Sequence, residues 1–336
     1  MDASALPALG ETTPPTLDGY ARHTAYSDPG RHAALLAAID PDQASIGAAA
    51  RAAVVHYRDE SLSPTAEQRD DPDRRWLASI LDAATERHPG PLDAPREVGS
   101  QVAGCCRDHT LFALGVLREH GIPARSRIGF AGYFAPPFWH DHVVVEHWDG
   151  KRWVRWDAEL TPDGPWAFDV RDLPTGPDSP FRTAAEAWRA IRAGDADPAS
   201  YGVDPGLPHL CGKGFVRDYV LLEVAHRMRD ELLLWDLWGP MLGGDGPGLG
   251  ELVERAGMTV PRLDECAFDG LADELAALLV AADGGDTAAE ATLAARYTDT
   301  LLRPGARVVT TSPSGRGGVT DLRARRTEWL GAAPSS

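Results

Sequence analysis

The chain has 336 residues, 43% of them hydrophobic, with 50 acidic against 33 basic residues and a formal charge of −17. That length holds one large domain with additions, or two modest ones. A surface of this sign repels nucleic acid and anionic lipid, no basic stripe offsets it, and no stretch approaches the ~18 consecutive apolar residues of a membrane span.

Residues 1–30 are rich in Pro, Thr, Gly and Asp and read as a segment wrapping the surface. The opening Met1-Asp2-Ala3-Ser4 lacks the basic-then-apolar pattern of a secretory signal. Residues 31–58 read as two helices broken near Asp40-Pro41-Asp42, and 72–88 as a third. Residues 105–120 give the clearest helix of the first half. Leu111, Leu114 and Leu117 make its buried stripe, Gly121 stops it, and Pro123 prevents it resuming. A strand follows over Arg125–Phe130. Residues 142–148 and 151–157 read as two more strands around Asp149-Gly150, a strong hairpin signal. Thr183 and Glu186 form a capping box that opens a helix ending at Gly194. Residues 215–236, 265–282 and 286–302 read as further helices, and 304–336 as a mobile tail. The resulting division is 1–70 (helical, wrapping), 71–165 (core), 166–303 (mainly helical) and the tail. Lysine occurs only at 151 and 213 amid abundant Arg, Ala and Gly, a bias typical of GC-rich bacterial genomes.

The four cysteines are Cys105, Cys106, Cys211 and Cys266. They are too few for a disulfide scaffold, and reduced thiols in the cytoplasm fit them better. No Cys-x-x-Cys pair offers a zinc site. Cys106 sits at a helix start, where unpaired N–H groups and the helix dipole favour an anion and are expected to lower a thiol from its usual ~8.5. If Asp149-Gly150 is a two-residue turn, Trp148 faces Lys151 and, counting outward, His142 faces Asp157, with Cβ atoms ~4.5–5.5 Å apart. That spacing suits a carboxylate holding an imidazole in one tautomer. A four-residue loop would place Glu159 opposite His142 instead.

Gly104-Cys105-Cys106-Arg107-Asp108, Gly121-Ile122-Pro123-Ala124-Arg125, His142, Glu146, Trp153 and Asp157 together resemble the core of the transglutaminase-like superfamily, over roughly residues 98–160. The order Cys, His, Asp matches, as do the intervals of 36 and 15 residues between them. The resemblance implies an α+β, papain-like fold, a Cys-bearing helix on an antiparallel sheet, here with extensive helical additions. It implies Cys106 as nucleophile, His142 as base and acid, and Asp157 as the orienting acid. Trp235-Asp236-x-Trp238-Gly239 resembles, more weakly, an uncharacterised bacterial branch. The pattern departs at Val143-Val144, where many relatives have a Trp two places after the His, and no cluster resembles the calcium sites of animal transglutaminases.

Other candidates surround this set. Cys105 is the rival nucleophile. Gln101 offers a papain-like oxyanion donor, although the backbone N–H of Cys106 serves as well. Glu146 shares the strand face of His142 and reads either as its partner or as a solvated charge. Trp139 is the best of several tryptophans for a substrate channel, the rest reading as core. The expected chemistry is acyl transfer or amide hydrolysis through a thioester, on a small-molecule, peptide or carrier-bound acyl substrate, with no cofactor or metal. The rivals are a non-catalytic binding module that kept the fold, and a metal-dependent hydrolase using His140 and His142.

Overall fold

The computed structural model describes residues 14–332 apart from 245, 247 and 262. Of the segment expected to wrap the surface, residues 1–13 lie outside the described residues.

Short helices α1 (Leu17–Tyr20), α2 (Ala33–Ala37) and α3 (Gln43–Ala53) come first. The break expected at Asp40-Pro41-Asp42 is present: Asp42 Oδ1 accepts the amides of Ala44 and Ser45, both at 2.9 Å, and caps α3. The helix does not run on to residue 58. Val54–His56 form strand β1, paired in parallel with β2 (Val102–Gly104). Two β-branched valines suit a strand better than a last helical turn. Helix α4 (Leu77–Arg87) lies between them in sequence, and α5 (Cys106–Glu119) follows β2 directly. The α5 stripe of Leu111, Leu114 and Leu117 is buried, as are Phe112 and Val116. Gly121 turns the chain at φ +69°, and the Ile122 amide returns to the Leu117 carbonyl at 2.8 Å.

The central sheet joins β3 (Ala124–Ala135), β4 (Phe138–Trp148), β5 (Trp153–Trp156) and β6 (Phe181–Thr183) in the antiparallel order β5-β4-β3-β6. A short β7 (Tyr201–Gly202) adds in parallel to β4. Helix α5 packs on this sheet, and Val143 and Val145 of β4 share its core. The fold is α+β, with a Cys-bearing helix on an antiparallel sheet.

The β4–β5 turn is wider than the Asp-Gly pair suggests. Trp148 pairs with Trp153 and Val145 with Trp156, leaving a four-residue loop. Asp149 causes this: its Oδ1 accepts the amides of Lys151 at 2.7 Å and Arg152 at 2.8 Å, so its side chain closes a longer turn.

Helices α6 (Ala184–Ala193), α7 (Lys213–Arg227), α8 (Leu249–Arg255), α9 (Glu265–Asp283) and α10 (Thr287–Arg296) make up the helical addition. The capping box holds: the Thr183 amide donates to Glu186 Oε2 at 2.8 Å, and the Glu186 amide donates to Thr183 Oγ1 at 3.2 Å. Helix α7 stops nine residues before the expected end at 236, because Arg229 adopts φ +67°.

The expected mobile tail is a correction. Strands β8 (Asp236–Leu237), β9 (Arg307–Thr311), β10 (Arg316–Asp321) and β11 (Arg326–Ala332) form a second antiparallel sheet in the order β11-β10-β9-β8. The Ser- and Gly-rich run makes the β9–β10 turn and the first residues of β10. The strands beside it bury Val308, Val309 and Val319. Arg75 ties the sheet to the core. Its Nε and Nη2 reach the two oxygens of Asp236 at 2.8 and 2.6 Å, and Nη2 reaches Thr310 Oγ1 at 3.2 Å.

Two outcomes follow. Asp236→Ala leaves the Arg75 charge buried without its carboxylate, and urea unfolding is expected to register a loss of about 3–5 kcal/mol. His226 is also buried, its ring between Ser126 Oγ at 2.8 Å and the Leu232 carbonyl at 3.1 Å. Burial, reinforced by the Arg107 charge, pulls it down to about 4. That value lies below the ~6.5 of an unfolded histidine, so the unfolded chain takes the proton first. The contribution is complete above ~6.5 and fades by about 3 kcal/mol as the pH falls toward 4. Stability curves of wild type and His226→Gln should therefore converge in acid, and parallel curves would contradict the assignment.

Candidate active site

Strand β2 delivers the chain to Cys105, which caps α5 with φ −133° and ψ −174°, so Cys106 is the first helical residue. The Cys105 amide donates to Asp108 Oδ2 at 2.9 Å. A Cβ on Gly104 would meet that oxygen at 2.7 Å and Val54 Cγ1 at 2.9 Å, which is why glycine stands before the cysteines. Arg107 fixes the turn from outside: Nη1 holds Asp108 Oδ1 at 2.9 Å and Nη2 reaches the carbonyls of Arg75 and Glu231 at 2.6 and 2.5 Å. One turn further on, Thr110 Oγ1 donates to the Val143 carbonyl at 2.9 Å and pins the cysteine helix to the histidine strand.

His142 and Asp157 meet. Nε2 of His142 lies 2.7 Å from Asp157 Oδ2, and both residues are 2% exposed. They are not directly opposite, as a two-residue turn would require. With Val145 paired to Trp156, Asp157 follows the last paired residue and sits diagonally from His142. Diagonal residues still share a face. The strand ends there, and the Asp157 amide turns away to the Val170 carbonyl at 2.9 Å, freeing the carboxylate to reach the imidazole. Two further donors converge on Asp157: the Glu159 amide on Oδ1 at 2.9 Å, and the Tyr133 hydroxyl on Oδ2 at 2.6 Å.

The charges follow from this packing. Burial pulls His142 down, but the Asp157 carboxylate, with Glu159 and Asp141, outweighs it and holds the imidazole above its ordinary value. Burial lifts Asp157, yet His142, Tyr133 and the Glu159 amide bring it below the usual carboxylate range. Cys106 contradicts the expected lowering. Its hydrogen bond with Cys105, then burial, then the Cys105, Glu159 and Asp141 charges push its thiol well above the ordinary value. The Arg107 amide at the helix start serves Cys105 rather than Cys106. Cys105 is lowered by the Cys106 hydrogen bond and by that amide, while burial and Asp108 leave it raised overall. Among the described hydrogen bonds none joins the Cys106 thiol to His142. The two share a field, since Asp141 and Glu159 act on both.

The remaining candidates have other partners. Gln101 is not aimed at an oxyanion: its Nε2 donates to the carbonyls of Arg51 and Ala52 at 2.6 and 3.1 Å. Glu146 is neither solvated nor bonded to His142. It is buried between Arg125 at 2.8 Å and Arg155 at 2.9 Å, and although burial lifts it, those arginines and Arg127 bring it to about 2. Trp139 is stacked on Tyr201, with Arg182 over its ring at 4.6 Å. His140 gives Nδ1 to the Val203 carbonyl at 2.9 Å. Among the described residues no three His, Cys, Asp or Glu side chains gather to hold a metal. Nor is any helix of the described residues long and apolar enough to cross a membrane.

Sequence reasoning missed Tyr133, Thr110 and Asp141, and named Glu159 only as the residue a four-residue loop would bring opposite His142, the loop that is formed. The Tyr133 position lies in a stretch where β3 bulges, so alternation could not be carried through it. Asp108, quoted in the sequence only as part of the Gly-Cys-Cys-Arg-Asp run, proves to be the third helical residue of a capping box with Cys105. A cleft of about 410 Å³ lies beside the cysteine strand, with Tyr57, Pro72 and Ala103 on one side and Ser314 and Arg316 of the C-terminal sheet on the other. A larger one of about 1020 Å³ runs along α7 and touches none of the candidate residues.

Residues 74–158 match the transglutaminase-like superfamily, a span from the foot of α4 to just past Asp157. No curated protein matches the chain. A solved structure of a candidate cysteine protease from Cytophaga hutchinsonii is 18% identical, with a TM-score of 0.28, over 43% of this chain and 42% of that one. This chain therefore spans less than half of that protein's length. Residues 74–158 are thus similar to the transglutaminase-like superfamily, and the match spans both Cys106 and the His142–Asp157 pair.

Proposed function

We propose that Cys106, His142 and Asp157 act as a triad for acyl transfer or amide hydrolysis through a thioester on Cys106. The observation that carries this reading is the buried 2.7 Å contact of His142 with Asp157, on a strand pinned by Thr110 to the helix that begins at Cys106. With Nε2 engaged, Nδ1 is the ring nitrogen left for the thiol.

The raised thiol changes how the nucleophile forms. A standing thiolate–imidazolium pair is disfavoured beside Cys105, Asp141 and Glu159. The proton instead passes from Cys106 Sγ to His142 Nδ1 as sulfur attacks a bound carbonyl, with the Cys106 N–H receiving the oxyanion. The tetrahedral centre collapses as His142 returns the proton to the leaving amine, and the acyl group remains on sulfur. An acceptor then loses a proton to His142, attacks the thioester, and releases the thiol. Water as acceptor gives hydrolysis; an amine gives a new amide. An amine arrives as a cation, and Asp141 and Glu159 supply charge to receive it. Donors that fit the reading are a peptide, a small-molecule amide or a carrier-bound acyl group. All four cysteines are free, which suits a reducing compartment such as the cytoplasm.

The test is iodoacetamide labelling of each cysteine across pH, read by peptide mass spectrometry. Labelling of Cys106 should climb only above the ordinary thiol range near ~8.5. At neutral pH it should slow by about a hundredfold in His142→Ala, the size of a general-base contribution at the low end. A label distributed over Cys105 and Cys106 alike, indifferent to His142, would sink the triad. Cys106→Ala should also abolish coupling of a fluorescent primary amine to peptide amide donors.

A further inference from the structure

Asp157 is approached on one oxygen by two donors, and only one of them belongs to the triad. Tyr133 reaches Oδ2 at 2.6 Å, the same atom that holds His142 Nε2 at 2.7 Å. We propose that Tyr133 is a positioning residue of this site, a fourth link that clamps Asp157 and tempers its pull on His142. The inference rests on the triad reading for its meaning, though not for its test.

The surroundings leave the hydroxyl little choice. The Tyr133 ring lies 4.8 Å from Phe134, 5.2 Å from Phe168, 5.9 Å from Trp166 and 6.0 Å from the His142 ring, centroid to centroid. A half-buried phenol ringed by aromatic side chains is best served by an acceptor on the site side. Here an aromatic wall surrounds it on the site side, and the Asp157 carboxylate is the acceptor it takes. Burial and the Asp157 charge hold its own ionisation far up, so it stays a donor throughout the working range.

Its effect on the imidazole has a definite sign. Oδ1 is occupied by the Glu159 amide, so His142 and Tyr133 divide what Oδ2 offers. A phenol donating to a carboxylate stabilises the anion and lowers its strength as an acceptor for a second donor. Tyr133 therefore keeps Asp157 ionised and fixed in rotation while drawing charge away from His142. A base that must both take and return a proton works best when neither form is over-stabilised. The other groups whose charge bears on this pair are Asp141 from β4, Glu159 beyond β5, His56 from β1 and Arg51 from α3. None of them bonds to Oδ2.

The experiment is an NMR titration of the His142 ring in three forms of the full chain: wild type, Tyr133→Phe, and wild type with 3-fluorotyrosine installed at position 133. Tyr133→Phe keeps the ring and removes the donor, and the His142 midpoint should rise. Fluorotyrosine keeps both and donates more strongly, and the midpoint should fall. Opposite displacements are expected of a clamp. A midpoint that stays put in both variants overturns the proposal, even if Tyr133→Phe lowers Tm, because ring packing alone moves neither. Should Tyr133→Phe fail to fold, the fluorinated chain decides alone. For turnover, where a substrate is in hand, Tyr133→Phe should lower kcat by about tenfold with KM little changed, the size of a lost hydrogen bond to a charged group. The titration needs no turnover. If Cys106 proves unreactive and indifferent to His142, the triad reading fails while the Tyr133 result still stands or falls by the titration.

Discussion

The charge on Arg75 has to be answered inside the protein. The residue is fully buried, and an unpaired guanidinium there would not be tolerated. Asp236 answers it with both oxygens, and Thr310 joins through Asp236 Oδ1 at 2.9 Å. Through its own carbonyl, Arg75 also receives Arg107, the residue after Cys106. One buried cation thus connects the loop before α4, the chain beyond α7, the C-terminal sheet and the first turn of the cysteine helix. Such a pair adds little net stability over an apolar replacement, but it admits only one arrangement of its parts. The Trp-Asp-x-Trp-Gly run is explained by the same need. Trp238 Nε1 holds the Leu302 carbonyl at 2.8 Å, and a Cβ on Gly239 would meet the Leu301 carbonyl oxygen at 2.3 Å.

A second buried set does comparable work for the histidine strand. Glu146 of β4 lies among Arg125, Arg127 and Arg155, and Arg127 extends to Glu223 of α7 and Asp283 of α9. Arg227 carries the line on from Asp283 to Glu290 of α10. The helical addition is therefore joined by charge to the strand that bears His142. A slip of one residue in β4 would break this set and turn His142 to the wrong face together. One network holds the helix that begins at Cys106 and the other the strand that bears His142, and both draw on residues beyond 220.

What was legible in the sequence was local. The helix at Cys106, its glycine stop and the Thr183 capping box each rest on a few adjacent residues, and each stands where expected. The order of Cys, His and Asp also led to His142 and Asp157, which are in contact, although by a turn that is not formed. Asp149 widened the loop, and the strand's end at Trp156 then let Asp157 swing back to His142. What stayed hidden depends on partners far away in sequence. The tail was read as mobile because its glycines and serines were visible and its attachment through Asp236 was not. Gln101 looked like an oxyanion donor until the carbonyls at the end of α3 were beside it. The thiol was expected to be acidic from its helix alone. The sulfur next to it and two carboxylates from β4 and the β5 exit reverse the sign.

The attachment of the cysteine helix has a consequence for biosynthesis. Its first turn is closed by the carbonyl of Glu231 and, through Arg75, by Asp236 and Thr310. A ribosome that has made the cysteine, histidine and acid has not yet made these anchors. The growing chain therefore carries its thiol without the contacts that hold the first turn of its helix until the C-terminal sheet has emerged and docked. Under the proposed thioester chemistry, that order of assembly would keep a half-made chain from acylating itself or its neighbours on a polysome.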